Sequence, residues 1–455
     1  MSNDKQPSLR FEELSSKPVV VSFTASGQSS EGGLPLLARV DRRLGLTARL
    51  AGALHEQRAG ARIAHDLPEL VRQRVFSIAL GCADGHSAAR MGADPLVKLA
   101  CGRSPASADS LASQPTLSRF ERGRSGRELV GMARALEGCV IDSLARRHKR
   151  ARRITIDLDS SEDRTHGQQP FAFFNGHYDS WCYLPLFGFL SIDDDVEQHL
   201  FLARLRPGTA RDGRCVRAHL RRVVPLLKRR FPRAEVLVRL DAGFVNPELL
   251  ALFEELGVRY LVGLPKNTTL SERATVHMHA ARSLTNDFGS ATQLFSECAY
   301  RAETWPHERR VIFKAEVVVH PGREPRDNLR LVVTDLRGTP ESLWILYARR
   351  GDSENRIKEL KCDLEIDRTS STCFLANQLR VLLSAAAFVL FQALRQALKG
   401  SELARAQVAT LRLRLLKIAA IVRESWRRIV LQLPTVHAFA DAWRRAALAV
   451  GASAC

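Results

Sequence analysis

The chain has 455 residues, 45% of them hydrophobic, which at roughly 150 residues per domain allows two to four domains with buried cores. It carries 68 Lys and Arg against 49 Asp and Glu, a formal net charge of +19, which points to a polyanion: nucleic acid first, a membrane surface second. Nine scattered cysteines with no CxxC pair argue against a disulfide framework and against a structural zinc site. The start, MSNDKQPSLRFEEL, lacks the apolar core of a signal peptide. The longest apolar run, Phe374 to Leu394, contains Asn377, Gln378, Arg380 and Gln392, so it reads as a core helix and not as a membrane span. The expectation is a cytosolic protein with no membrane partner.

In chain order, residues 1–35 are polar and Gly/Ser-rich and read as a flexible arm with one short strand at Val19 to Phe23. Residues 36–150 place apolar side chains at three- and four-residue spacing and read as an all-helical domain. Within it, SQPTLSRFERG has Ser113 as N-cap and Pro115 just inside a helix. The segment is similar to the turn and second helix of a helix-turn-helix, with Arg119, Arg122 and Arg124 as readers. LARRHKRARR, 144–153, is a phosphate-tracking or merely solvated linker. At residue 153 the pattern changes. ITIDLDSS, YLPLFGFLSI and HLFLARL alternate as strands do. The helix RAHLRRVVPLLKRRF follows, with Pro225 inside it and Arg221, Arg222, Lys228, Arg229 and Arg230 as a basic face. Strand EVLVRLDAGF, helix NPELLALFEELG and strand VRYLVGLP complete residues 151–266. Three strands, a helix, a strand, a helix and a strand is the order of an RNase H-like fold. The predicted class is therefore α/β, with a mixed-sheet core. Residues 267–340 read as a β-rich insertion. Residues 341–395 are helical and complete the core, and residues 396–455 read as a basic helical C-terminal region.

The strongest local signal is Tyr347, Arg350, Glu354 and Lys361, at offsets of +3, +7 and +14. At 3.6 residues per turn they share one narrow helical stripe. Such a stripe is commonly a solvated face with i,i+4 pairs. Two upstream aspartates change the reading: Asp159 ends ITIDLD and Asp241 ends EVLVRLD. Acids at strand ends sit on a rim that can bind ligands. Two of them with a helix glutamate can converge on oxygen-loving cations. Gly351 lies inside the stripe at a helix cost on the order of 1 kcal/mol, as if backbone had to approach a ligand, or as if the helix began later.

These residues resemble the DDE insertion-sequence transposases, specifically the insertion sequence 4 superfamily with its Tyr–Arg–Glu–Lys signature. The blocks DLDSSEDRTHGQQ, FFNGHYDSWCYLPL, RLDAGF and NRIKELKCDLEIDRTSSTCFLANQLR are similar to those of the insertion sequence 1380 family. So are RVFSIALG, SQPTLSRFE and LRLRLLKIAA. Asp159-Ser160-Ser161 stands where that family usually has Asp-Ser-Thr or Asp-Ala-Thr. The resemblance implies that Asp159, Asp241 and Glu354 are catalytic and hold two Mg²⁺ ions, with Mn²⁺ as substitute. It implies that Tyr347, Arg350 and Lys361 contact DNA phosphates. The implied partners are double-stranded DNA, as terminal inverted repeats and as target, and a second copy on DNA, in a bacterial cytosol near the nucleoid. Asp157, on the same strand face, competes with Asp159 as first acid. His166, Gly167 and Gln168 belong either to the site or to its loop. Trp305 in the insertion is either a base-stacking residue or core. The expected function is cut-and-paste transposition. The alternatives are a nuclease without strand transfer and a silent DNA-binding relic acting as repressor.

Overall fold

A computed structural model of the protein describes residues 8–11, 16–60, 63–210 and 212–453. Part of the expected N-terminal arm, residues 1–7 and 12–15, lies outside them. Its described part holds β1 (Leu9–Phe11), paired antiparallel with β2 (Val19–Val21), and then β3 (Gln28–Ser29). Among the described residues seven α-helices follow: α1 (Leu34–Leu44), α2 (Leu46–Ala51), α3 (Leu67–Ala79), α4 (Gly85–Arg90), α5 (Pro95–Cys101), α6 (Gln114–Arg122) and α7 (Gly126–Arg147). Local chemistry sets their starts. Asp66, Asp84 and Asp94 each accept a backbone N–H of the first turn. Ser125 and Glu128 form a reciprocal capping box for α7, which satisfies two otherwise orphaned donors. Ser113 caps α6 by backbone position alone: its hydroxyl meets the Thr116 hydroxyl and no first-turn N–H.

The central sheet then begins. β4 (Arg153–Ser160) leads through the short strands β5 (Asp163–Arg164), β6 (Phe173–Asn175) and β7 (Ser180–Tyr183) to β8 (Leu186–Ile192) and β9 (His199–Arg204). Helix α8 (Asp212–Arg230), β10 (Glu235–Leu240), α9 (Pro247–Leu256) and β11 (Arg259–Leu264) follow. Next come α10 (Thr268–Phe288) and the long antiparallel strands β12 (Thr292–Tyr300), β13 (Arg309–Val318) and β14 (Arg326–Thr334). The eight-stranded sheet runs β12-β13-β14-β11-β10-β4-β8-β9. β4, β10 and β11 are mutually parallel, and β8 is antiparallel to both β4 and β9. The fold is mixed α/β. The segment read as β-rich opens on a 21-residue helix, and its three strands extend the central sheet beyond β11.

Period-two alternation divides this sheet into two faces. Ile154, Ile156 and Leu158, Val236, Val238 and Leu240, and Tyr260 and Val262 join the main core. The alternate positions carry Asp157, Asp159, Arg239 and Gly263 on the opposite face. There Leu237 and Leu261 meet Leu343 and Trp344 of α11 (Pro340–Ala348). A 3₁₀ turn, Arg349–Gly351, joins α11 to α12 (Asp352–Leu364).

Helix α13 (Phe374–Ala397) is long and apolar enough to cross a membrane, but 78% of its most apolar window is buried within the fold. Gln378 accepts the Leu205 N–H, and Gln392 accepts the Leu200 N–H while donating to the Gln198 carbonyl. The helix thus caps the free edge at β9, satisfying backbone groups that burial would otherwise strand. Arg380 pairs with Glu121 of α6, which also pairs with the buried Arg74 of α3, and Arg395 pairs with Glu359 of α12. The C-terminal stretch was expected to be helical. It has α14 (Val408–Leu411) and a π-helical turn, then the hairpin β15 (Ala420–Glu424) and β16 (Ile429–Gln432), and only then α15 (Ala440–Ala449).

Candidate active site

Parallel strands β4 and β10 pair with Asp157 beside Arg239. Continuing that register by two residues brings Asp159 beside Asp241, at the same end of neighbouring strands. Asp241 leaves the strand to cap the turn Ala242–Phe244, accepting the Gly243 N–H at 2.9 Å. The junction of α11 and α12 crosses this rim. Arg350 stands between two carboxylates, 3.1 Å from Asp159 Oδ2 and 3.4 Å from Glu354 Oε1. The Ser353 hydroxyl lies 3.3 Å from Asp159 Oδ2 and 2.8 Å from the Arg350 carbonyl, sharing its proton between them. The Tyr347 hydroxyl sits over Gly263 of β11, where an added Cβ would lie 2.7 Å from it. Only glycine leaves room for that ring beside Asp241.

Burial pushes the Asp159 carboxyl up to about 6. The neighbouring charges of Asp241 and Glu354 add to this, and Arg350 and Ser353 oppose it. Burial also raises the Tyr347 phenol, with Arg350 opposing. The signature residues therefore do not lie on one regular helix. The tighter 3₁₀ turn at Arg349–Gly351 bends the stripe, and Gly351 has right-handed backbone with open space where a Cβ would be. Lys361 lies farther along α12 and donates to the Glu162 carbonyl in the loop after β4. That loop is anchored again at buried Asp163, whose oxygens lie 2.9 and 3.0 Å from the Thr369 hydroxyl.

Asp157 stands apart from this group. It is fully buried, accepts two bonds from Arg239 at 2.8 and 2.7 Å, and takes a third from Gln198. Arg119 and Arg122 lie on α6 and bond to Thr116 and Thr372. Of the basic face of α8, Arg222 pairs with Glu137, Arg221 with Glu255 and Arg230 with Asp142. His166, Gly167 and Gln168 are exposed in a turn, with Gly167 at φ +79°. Trp305 is buried against Tyr300 and under the Arg309 guanidinium. Sequence reading passed over Ser353, Arg239 and Gly263, whose roles arise from contacts between distant elements.

Residues 11–453 match the family described as Transposase DDE domain group 1. The chain belongs to this family. A comparison with curated proteins returned no match. Membership gives this DDE transposase a role in transposition, and the family generally uses divalent metal ions. Among the described residues no group of three or more His, Cys, Asp or Glu side chains is placed to hold a metal ion. The chemistry of the donors nevertheless suits a hard cation: the candidate ligands are oxygens only, and Asp241 and Glu354 add to the rise that burial gives the Asp159 carboxyl. Arg350 occupies the space between two of them as a cationic neighbour, and the Glu354 side chain is 67% exposed and not held by packing.

Proposed function

We propose that the chain is the transposase of its own insertion sequence, cutting and rejoining DNA with Asp159, Asp241 and Glu354 as the acids that hold two Mg²⁺ ions, or Mn²⁺ in their place. The observation that supports this reading is Arg350 standing between Asp159 and Glu354, with Asp241 near enough to act on the Asp159 charge. The order of the first five major strands supports an RNase H-like core: β9, β8, β4, β10, β11, with only β8 reversed. The sequence blocks around these acids favour the insertion sequence 1380 family within the insertion sequence 4 superfamily.

When bound, two such ions stabilise charge on the attacking and leaving oxygens of an in-line phosphoryl transfer. The protein's own groups do the rest. Asp159 and Asp241 are fixed by neighbouring parallel strands, and Ser353 orients Asp159. Arg350, once its carboxylates are otherwise neutralised, offers a planar fork to a DNA phosphate. Tyr347 seats that arginine from over Gly263. Lys361 holds the loop after β4 by its carbonyl and contributes positive charge beside the strand. Arg119 and Arg122 on α6 supply phosphate contacts at a distance, and a homodimer brings two element ends together.

The test is incubation of the protein with its flanking element ends, Mg²⁺ and a target plasmid. Nicked ends joined to plasmid are the expected products. Nicking without joined products would favour the nuclease alternative, and binding without nicking would favour the silent repressor. In a paired gel-shift and nicking assay, Glu354→Gln should keep end binding and lose cutting. Arg350→Ala should weaken both.

A further inference from the structure

We infer that the C-terminal hairpin is a wing that grips the sugar-phosphate backbone of duplex DNA through Arg423, Arg427 and Arg428, with Trp426 packed against the groove wall. The inference rests on the reading of the chain as a DNA-cutting transposase and adds a contact which that reading did not contain.

The hairpin is rigidly built. β15 pairs with β16 from Ile421↔Gln432 to Glu424↔Ile429 and with β3 on its other side. Ala420 and Val422 pack on Leu96 of α5, with Leu99, Leu431 and Leu433 around them. Glu424, the acid of the hairpin, is engaged by the Ser104 hydroxyl and the Ala106 N–H. The wing is thereby fastened to the helical layer more than 300 residues upstream.

Its tip is just as well fixed and wholly exposed. The Ser425 N–H donates to the Arg428 carbonyl at 2.9 Å, and the Arg428 N–H donates back to the Ser425 hydroxyl at 3.2 Å. This turn presents Trp426 with 88% of its surface in solvent. The Arg427 guanidinium lies 4.8 Å from the ring centroid. Arg423, Arg427 and Arg428 are exposed, and none has a carboxylate partner among the described residues.

Three unneutralised guanidiniums within six residues repel one another, and an exposed indole gains nothing from folding. Both costs are recovered on a polyanion with an apolar groove wall, which describes duplex DNA. Phosphates carry no sequence information, so the wing adds affinity equally to element ends and to unrelated duplex.

Fluorescence anisotropy of full-length protein on both duplexes, across a salt series, tests this. Trp426→Ala is expected to weaken binding about tenfold on each duplex, as for a well-packed contact residue. Arg427→Gln with Arg428→Gln should lower the slope of log affinity against log salt by about two, one for each lost phosphate contact. All three side chains are exposed, and matching melting curves will show that the variants fold. Affinity and salt slope unchanged in both variants would overturn the wing while leaving the transposase reading to wild-type nicking. If Trp426→Ala instead shifts self-association, or abolishes anionic-vesicle binding, with DNA affinity unmoved, the tip serves a second copy or a membrane and the inference is likewise lost.

Discussion

Asp157 and Asp159 lie two residues apart on β4, face the same side of the sheet, are both buried, and both meet an arginine. The arginines treat them differently. Arg239 grips both Asp157 oxygens and is itself held by the Leu346 carbonyl, with Gln198 closing the set. Arg350 gives Asp159 one bond and spends another nitrogen on Glu354, with Asp241 crowding the same space. Asp157 is thus fully paired, whereas Asp159 keeps less pairing among like charges. Four residues on, Asp163 takes a third course. Burial pushes its carboxyl up to about 8 with Asp367 adding to the rise, so it is largely protonated at neutral pH.

The largest expected difference is catalytic. Asp159→Asn should reduce Mg²⁺-dependent nicking by at least about a thousandfold, the scale of losing an essential charged group, while element ends remain bound. Asp157→Asn should reduce nicking only as far as it reduces the folded fraction. Equal losses per folded molecule would erase the distinction between the two residues.

Stability should rank them the other way. Asp157→Ala leaves Arg239 buried and unpaired, which costs about 3–5 kcal/mol in denaturant unfolding. Replacing Asp157 and Arg239 together by Leu and Met should recover much of that loss. A single-variant cost under about 1 kcal/mol, the range of a surface pair, would deny Asp157 its structural role.

Asp163 gives a pH signature. Its folded pKa lies above its unfolded value, so the folded state holds the extra proton between about pH 4 and pH 8. Stability from this group is present below that window and lost as pH rises through it. Asp163→Asn should flatten the decline, by on the order of 1–3 kcal/mol across the window, and keep an oxygen for Thr369. Parallel wild-type and variant curves in urea titrations from pH 4 to 8.5 would show that the proton is not held there.

The smallest effect concerns Gly351. Its backbone is already helical and the space around it is open, so Gly351→Ala should stabilise by about 0.5–1 kcal/mol in thermal unfolding. A drop in DNA affinity from the same substitution would mean that the glycine is there for the ligand after all.

Much of the core was legible because its strands are short apolar runs bounded by turns, and because Asp159 and Asp241 stand where such runs end. The stripe from Tyr347 to Glu354 was legible as a spacing, and Gly351 marked the place where a helix could begin anew, as α12 does at Asp352, but the 3₁₀ turn that joins it to α11 was not legible. Helix α10 escaped notice because its inward face is mostly small or polar: Leu270, Ala274, Met278, Ala281 and Thr285. The hairpin at 420–432 was read as helix because its partner strand, β3, lies almost 400 residues away. The tie from Lys361 was hidden for another reason: its acceptor is a backbone carbonyl, which every residue has.

Helix α13 is also a ruler. It is clasped at Arg380 by Glu121 of α6 and at Arg395 by Glu359 of α12. Fifteen residues of helix separate these clasps, a rod of about 22 Å, on the order of six base-pair steps of duplex. Neither α6 nor α12 can slide along this buried rod without breaking an ion pair that burial makes costly to lose. The helical layer and the rim that carries Glu354 are therefore held at a fixed separation.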